Sequence, residues 1–145
     1  MKPCTGCSSC KDSKKCIIED DHQMMLDKMG QSDIIVFASP TYVSNVTSVA
    51  KAFMDRSIRF FEMTKLGLKC RYDKPSKVIL ITSCGAPFPF SHIFGFATGC
   101  IRAMKVFFKY MNVKIKTFTA TGMTCFDKES CKKIFKKAYN LGKNI

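Results

Sequence analysis

Four cysteines crowd the start of the chain: Cys4, Cys7, Cys10 and Cys16, spaced C-x2-C-x2-C-x5-C. Two-residue spacers let a curling loop turn three successive thiolates inward, and a fourth at a looser distance can complete the set. Ferredoxin-type [4Fe-4S] loops use the same compact triple. Gly6, Ser8 and Ser9 lie between the ligands and are small, so the backbone can curl closely and aim N–H groups at the sulfurs. Such bonds raise the potential of an otherwise strongly reducing cluster. Structural zinc more often takes two separated C-x2-C pairs, and a second pair is missing. On residue types alone a cluster leads. Zinc, thiol redox or sensing, and a remnant that binds nothing are the alternatives.

The rest of the composition sets the context. Met1-Lys2-Pro3-Cys4 has no apolar core behind it, so it does not read as a secretory signal. The least charged stretch, Ala86 to Ile101, is interrupted by Pro87, Pro89 and His92 and closed by Arg102, so no membrane span is expected. The reading is a cytoplasmic protein away from the membrane, where nine cysteines do not make a disulfide framework. Cys70, Cys84, Cys100, Cys125 and Cys131 are dispersed and read as mostly inert, with Cys84 set apart by its place in a strand-end loop.

The 145 residues make one domain, 1–16 as a cysteine loop and 17–145 as helices and strands. A formal charge of +13 attracts anionic partners, among them phosphate-bearing cofactors and acidic electron carriers. The densest basic group, Lys128 to Lys137, alternates with Ile134 and Phe135 and reads as a solvated helix face, which disfavours nucleic acid as a partner. With only His22 and His92, both read as core or surface residues, histidine-based hydrolysis is unattractive.

Periodicity supplies the elements that must position these groups. A helix is expected from a capping-box-like start at Asp20 and Gln23 to a stop at Gly30. Ile34 to Ala38 is a continuous apolar run ended by Pro40, the pattern of a parallel strand buried on both faces. Helical spacing follows from about Thr47 to Met63, and Asp73-Lys-Pro-Ser punctuates the chain. Val78 to Thr82 reads as a second buried strand, emptying into a Gly- and Pro-rich loop from Ser83 to Gly95. Ile101, Met104, Phe108 and Met111 mark a further helix, Val113 to Thr121 a third strand, and Lys128 to Leu141 a last helix. Alternation at this spacing means a parallel sheet wrapped by helices.

In open α/β sheets ligands bind beyond the carboxyl ends of the strands. Two such ends carry small hydroxyl residues, an aromatic ring and exposed backbone suited to a flat hydrogen-bonding ring system. They are Ser39-Pro-Thr-Tyr-Val-Ser-Asn45 and Thr82-Ser-Cys-Gly-Ala-Pro87. Two ordinary βα turns are the alternative.

The runs Pro3-Cys-x-x-Cys-x-x-Cys, Cys16-Ile-Ile-Glu-Asp-Asp21, Ser32 to Tyr42, and Lys51-x-Phe-Met-Asp-Arg56 resemble the NAD(P)H-dependent FMN reductase family, and within it the iron–sulfur flavoproteins. The resemblance covers Pro3 to Arg56 closely and fades beyond Ser83. It implies a flavodoxin-like three-layer α/β fold with about three parallel strands recognisable. It also implies a [4Fe-4S] cluster on Cys4, Cys7, Cys10 and Cys16, and an FMN against Ser39, Pro40, Thr41, Tyr42, Val43, Ser44 and Asn45, with Ser83, Cys84 and Gly85 from the next loop. NAD(P)H is the implied electron donor. Lys51, Asp55 and Arg56 read as structural or interfacial residues of the following helix.

Family members begin with a strand, a phosphate-binding loop with its helix, and a second strand, whereas only Met1-Lys2-Pro3 precedes Cys4 here. Losing three charge-assisted bonds to a phosphate, each about 1.5–3 kcal/mol, removes roughly 5 kcal/mol or more, so weak flavin binding is expected. In a sheet of order 2-1-3-4-5 the absent first strand would lie beside Ile34–Ala38, leaving that strand as an open edge. A homo-oligomer through this edge is therefore expected. The functional reading is a flavin-dependent electron-transfer oxidoreductase. Its alternatives are a scaffold protein of the same fold that has lost flavin, and a cysteine-ligated zinc module.

Overall fold

The computed structural model describes residues 1–145 except 14, 66, 73–74, 112, 125–126 and 145, and leaves out the side chains of Asp12 and Met63. Two positions singled out in the sequence, the Asp73-Lys74 punctuation and Cys125, thus lie outside the described residues. The chain runs α1 (Ser9–Asp12), α2 (His22–Gln31), β1 (Ile34–Pro40), α3 (Ser48–Arg56), β2 (Phe61–Thr64) and β3 (Gly67–Cys70). It continues with β4 (Lys77–Ser83), α4 (Phe90–Ile93), α5 (Phe96–Phe108), β5 (Lys114–Ala120) and α6 (Lys128–Lys143).

β1, β4 and β5 form a parallel sheet in the order β1-β4-β5, with Ile35 opposite Val78 and Val78 opposite Ile115. Side chains alternate across a strand, so this register sends Ile35, Phe37, Val78, Leu80 and Ile115 to one face. There they meet Leu26 and Met29 of α2, Phe53 of α3, and Cys100, Met104 and Phe108 of α5 in one continuous core. The Phe37 ring sits 5.9 Å from that of Phe53 and 5.5 Å from that of Phe108, closing the layer between strand and helices. On the opposite face Lys116 Nζ donates to the Asn144 carbonyl at 2.9 Å, tying the end of α6 to that side. α6 turns a half-buried row of Cys131, Ile134, Ala138 and Leu141 one way and leaves Phe135 and Tyr139 exposed. Asp127 caps it, accepting from the Ser130 N–H at 2.6 Å.

Several expectations need correction. Burial on both faces holds for β4, where Val78, Ile79 and Leu80 are all sequestered, but not for β1. Val36 is 56% exposed and Ala38 is exposed, because alternation turns them to the face opposite the helices that cover Ile35 and Phe37, and that face is left uncovered at β1. The helix expected to reach Met63 stops at Arg56. A 3-10 turn, Ser57–Phe60, follows, and β2 then pairs antiparallel with β3. The reason lies in two consecutive aromatics that are both buried and point different ways. Phe60 stacks on Tyr72 at 4.6 Å and Phe61 meets Phe107 edge-on at 5.7 Å, which one helix face cannot satisfy.

Gly30 does not stop α2, which runs to Gln31. It lies against the Tyr72 ring, where a Cβ would come within 2.7 Å, so its smallness serves a close approach. The cap of α2 is Asp21, with no side-chain capping bond, while Asp20 accepts from the His22 N–H at 3.1 Å. Pro40 is the last residue of β1 instead of its terminator, and short helices α1 and α4 interrupt segments expected as loops.

Candidate functional site

The cysteine segment folds over the C-terminal end of α3. Cys4, Cys7, Cys10 and Cys16 all line one small enclosed cavity, floored by Ile18, Asp55 and Arg56. Gly6 and Ser8 adopt positive φ of 72° and 61°, the local reversals that let the segment curl. Among the described residues no three His, Cys, Asp or Glu side chains converge on a point where one metal ion could sit. A cubane cluster needs no such convergence, since each thiolate binds its own iron corner around a shared volume. The four thiols are the donor type such a cluster takes, and they border a hollow of about 30 Å³ with Cys4 and Cys7 exposed. The Cys7 thiol is held below its ordinary pKa by hydrogen bonds from the Ser9 side chain and backbone, which favours the thiolate a metal needs.

One side chain fastens the segment. Arg56 is 3% exposed and spends its guanidinium on four acceptors. Nη1 donates to Asp20 Oδ2 at 2.6 Å and to the Lys2 carbonyl at 3.0 Å. Nη2 donates to the Ile18 carbonyl at 3.0 Å and approaches Cys16 Sγ at 3.5 Å. The Lys2 N–H closes the ring by donating to Asp20 Oδ2 at 2.9 Å. The guanidinium holds the Asp20 carboxyl well below the usual carboxylate range, and Asp20 in turn raises the Arg56 pKa. Beside this clamp His22 is fully buried, its Nε2 3.2 Å from Ser57 Oγ, and burial pushes its pKa down. Lys51 and Asp55 pair one turn earlier on α3, on its exposed side.

The second region lies at the carboxyl edge of the sheet. β1 and β4 end side by side, Ser39 opposite Thr82 and Pro40 opposite Ser83. The Thr41 N–H donates to the Ser83 carbonyl at 2.8 Å, and Thr41 Oγ1 lies 2.9 Å from Thr82 Oγ1. Ser39 Oγ accepts from the Thr47 N–H at 3.0 Å, fastening the start of α3. Between them Tyr42 and Asn45 exchange two backbone hydrogen bonds, each 2.9 Å, around a two-residue turn. Val43 and Ser44 both take positive φ, 47° and 58°, and Val43 is 99% exposed. A β-branched residue in that region is strained, and such strain gathers at ligand-holding turns. Cys84 is buried, its N–H given to the Ala120 carbonyl at 2.8 Å. Gly85 and Ser83 stay half-buried at the same edge, so the residues from Ser39 to Asn45 and from Ser83 to Gly85 form one continuous shelf.

The family model for NADPH-dependent FMN reductase matches residues 2–86. The chain belongs to that family. An iron–sulfur flavoprotein of Methanocaldococcus jannaschii is 44% identical over 57 residues, 39% of this chain and 30% of that protein. One of Archaeoglobus fulgidus is 33% identical over 99 residues, 68% of this chain and 48% of that protein. The chain thus matches about a third to a half of the length of these curated relatives.

Among solved structures, the NAD(P)H:quinone oxidoreductase of Methanothermobacter marburgensis superposes with a TM-score of 0.71 at 17% identity, covering 92% of this chain and 66% of that one. An FMN-dependent NADH-azoreductase of Bacillus anthracis, solved with FMN, gives 0.63 at 16%, covering 83% and 61%. The fold of this family member is therefore flavodoxin-like, as its motifs suggested.

Sequence reasoning left three features of the region unseen. Arg56 carried no sign that its partners lie 36 and 54 residues away. Cys100, buried in α5, accepts from Thr82 Oγ1 at 3.3 Å beneath the shelf. Gly99 was the one with a readable signal, a glycine inside a helical pattern. A Cβ there would come within 2.1 Å of the Ser44 carbonyl oxygen, so α5 can touch the turn only because Gly99 has none.

Proposed function

We propose that this chain acts as an iron–sulfur flavoprotein, moving electrons between a [4Fe-4S] cluster and FMN, with NAD(P)H as the donor. The observation that carries the reading is the single cavity lined by Cys4, Cys7, Cys10 and Cys16 and fastened by Arg56. The family's flavin chemistry and the relatives' printed names support it. When bound, a flavin exchanges electrons in pairs with a nicotinamide, and a cubane cluster exchanges them singly.

The chain's own residues would position and insulate. Cys4, Cys7, Cys10 and Cys16 would be the cluster ligands, and Arg56 would hold Cys16 and the loop's return in place. Ser39 to Asn45 and Ser83 to Gly85 would seat the flavin ring, with the strained Tyr42–Asn45 turn as its flat rest. No side chain need act as acid or base. The two regions lie at opposite ends of α3, whose eight residue steps from Ser48 to Arg56 span about 12 Å. Exchange across an interface between two copies suits that separation, and the open edge Ile34–Ala38 supplies a place for the copies to meet. The setting proposed is cytoplasmic; among the described residues no helix is long and apolar enough to cross a membrane.

Anaerobic reconstitution with iron, sulfide and FMN, followed by absorption spectra, tests this directly. The expected result is a broad band near about 400 nm that bleaches on reduction, together with flavin peaks. A colourless protein carrying one zinc, or one retaining neither iron nor flavin, would overturn it.

A further inference from the structure

A second concavity lies away from both regions, between α5 and the far edge strand β5, with a volume of about 620 Å³. That is the size of a small-molecule site. We infer that this groove binds a small organic anion with an apolar body, an amphiphilic carboxylate of the arene or medium-chain acyl class.

The groove exists because of how α5 sits. Its buried row, Ala97, Cys100, Met104 and Phe108, points at the core over β1 and β4, so the inner side of β5 is left partly uncovered. Register puts Thr117 opposite the fully buried Leu80, and Thr119 opposite Thr82. These are core-facing positions of a sheet, yet they carry hydroxyls and remain open, with Thr117 exposed. Ile101 and Ile115 make an apolar floor beside them.

Charge decides what fits. Arg102 and Lys105 of α5, and Lys109 just past its end, follow at three- and four-residue spacing and form the rim, with His92 at the carboxyl-edge end. Like charges so spaced repel one another. From Lys74 to Phe126 the sequence has neither Asp nor Glu, and the neighbours that temper the rim are Asp55 of α3, which shares an adjoining hollow with Arg102, and the Tyr110 ring, 5.8 Å from Lys109 Nζ. A carboxylate placed among the three would be attracted by all of them, while the floor would take up an apolar body that inorganic phosphate lacks. Threonine hydroxyls can donate to a second acid oxygen.

Titration of the ¹⁵N-labelled full chain with 2-naphthoate and with decanoate, followed by amide shifts, tests the assignment. Saturable shifts centred on Thr98, Ile115, Thr117 and Thr119 are expected, weakening as salt screens the rim. Lys105→Glu should reduce affinity by about tenfold or more, while Phe94→Ser in the exposed aromatic loop should leave it unchanged. Thr117→Leu, at an exposed position, should fill the groove and abolish binding with no loss of folding. Shifts confined to residues 88–96, equal binding of 2-naphthalenemethanol, equal binding of inorganic phosphate, or an unaffected Lys105→Glu variant would each overturn the proposal. So would no shift at all at about millimolar ligand.

Discussion

Arg56 and Asp20, 36 residues apart in sequence, meet at 2.6 Å, and on this contact the cysteine segment hangs. The same guanidinium reaches the Lys2 and Ile18 carbonyls and Cys16 Sγ, so one planar group with donors in fixed directions holds both ends of the loop. Lysine, a single point charge, cannot reproduce four directed bonds. Arg56→Lys is therefore expected to retain the sheet, as judged by circular dichroism, yet lower the melting temperature by about 5 °C or more. Iron and sulfide retained after anaerobic desalting should fall at least severalfold. Full retention would show that the clamp is dispensable.

The pair also makes the segment sensitive to acid. Asp20 binds a proton less readily when folded than when unfolded, because Arg56 and the Lys2 and His22 N–H groups all favour its anion. Stability from this site is thus complete above the ordinary carboxylate value of about 3.9 and drains away as pH falls below it. Protection of residues 2–20 against hydrogen exchange, taken relative to the intrinsic rate at each pH, should fall below about pH 4 in the wild type. In Asp20→Asn that protection should already be low at neutral pH and change little on acidification. Identical profiles for the two proteins would refute the linkage.

The turn at the carboxyl edge of the sheet stores strain that can be removed. Val43 and Ser44 occupy the two positive-φ positions of a two-residue hairpin turn, where Asn and Gly are favoured. Replacing them as Val43→Asn with Ser44→Gly should stabilise the fold by about 1–2 kcal/mol, measured in urea. If Val43 meets the flavin with its fully exposed side chain, FMN affinity should fall in the same variant while stability rises. A variant no more stable than wild type would mean that the turn is not strained.

Gly99 gives the converse test. A methyl group there would be driven to 2.1 Å from the Ser44 carbonyl oxygen, a backbone atom that cannot swing aside. Gly99→Ala should cost about 1–3 kcal/mol in spite of the higher helix propensity of alanine. Amide shifts should move in Tyr42 to Asn45 more than at the far end of α5. A gain in stability would show that the approach is looser than the geometry indicates.

What the sequence made legible follows from how local each signal is. The apolar runs Ile34–Ala38 and Val78–Thr82 announced parallel strands because burial needs no distant partner to be read. The cysteine spacing is equally local. The β2–β3 hairpin was hidden because Val46 to Phe61 keeps a helical period past Arg56, and only the separate packing of Phe60 and Phe61 breaks it. The Arg56 clamp and the Gly99–Ser44 contact were invisible for a different reason. Each joins segments whose proximity is created by the fold.

The open side of β1 carries the last prediction. β1 pairs with β4 through seven residues and with no other strand among the described residues, while Ile34, Val36 and Ala38 present an apolar outer row. Unpaired edge backbone beside exposed aliphatic side chains is a template for a second chain, and a lysine in such an edge is how proteins close it. Val36→Lys alters a residue that is already 56% exposed, so the inner core of Ile35 and Phe37 is untouched and folding should persist. Sedimentation at rising concentration should show the wild type self-associating and the variant remaining monomeric. A wild type that stays monomeric throughout, or a variant that associates equally well, would place the contact between copies elsewhere or remove it.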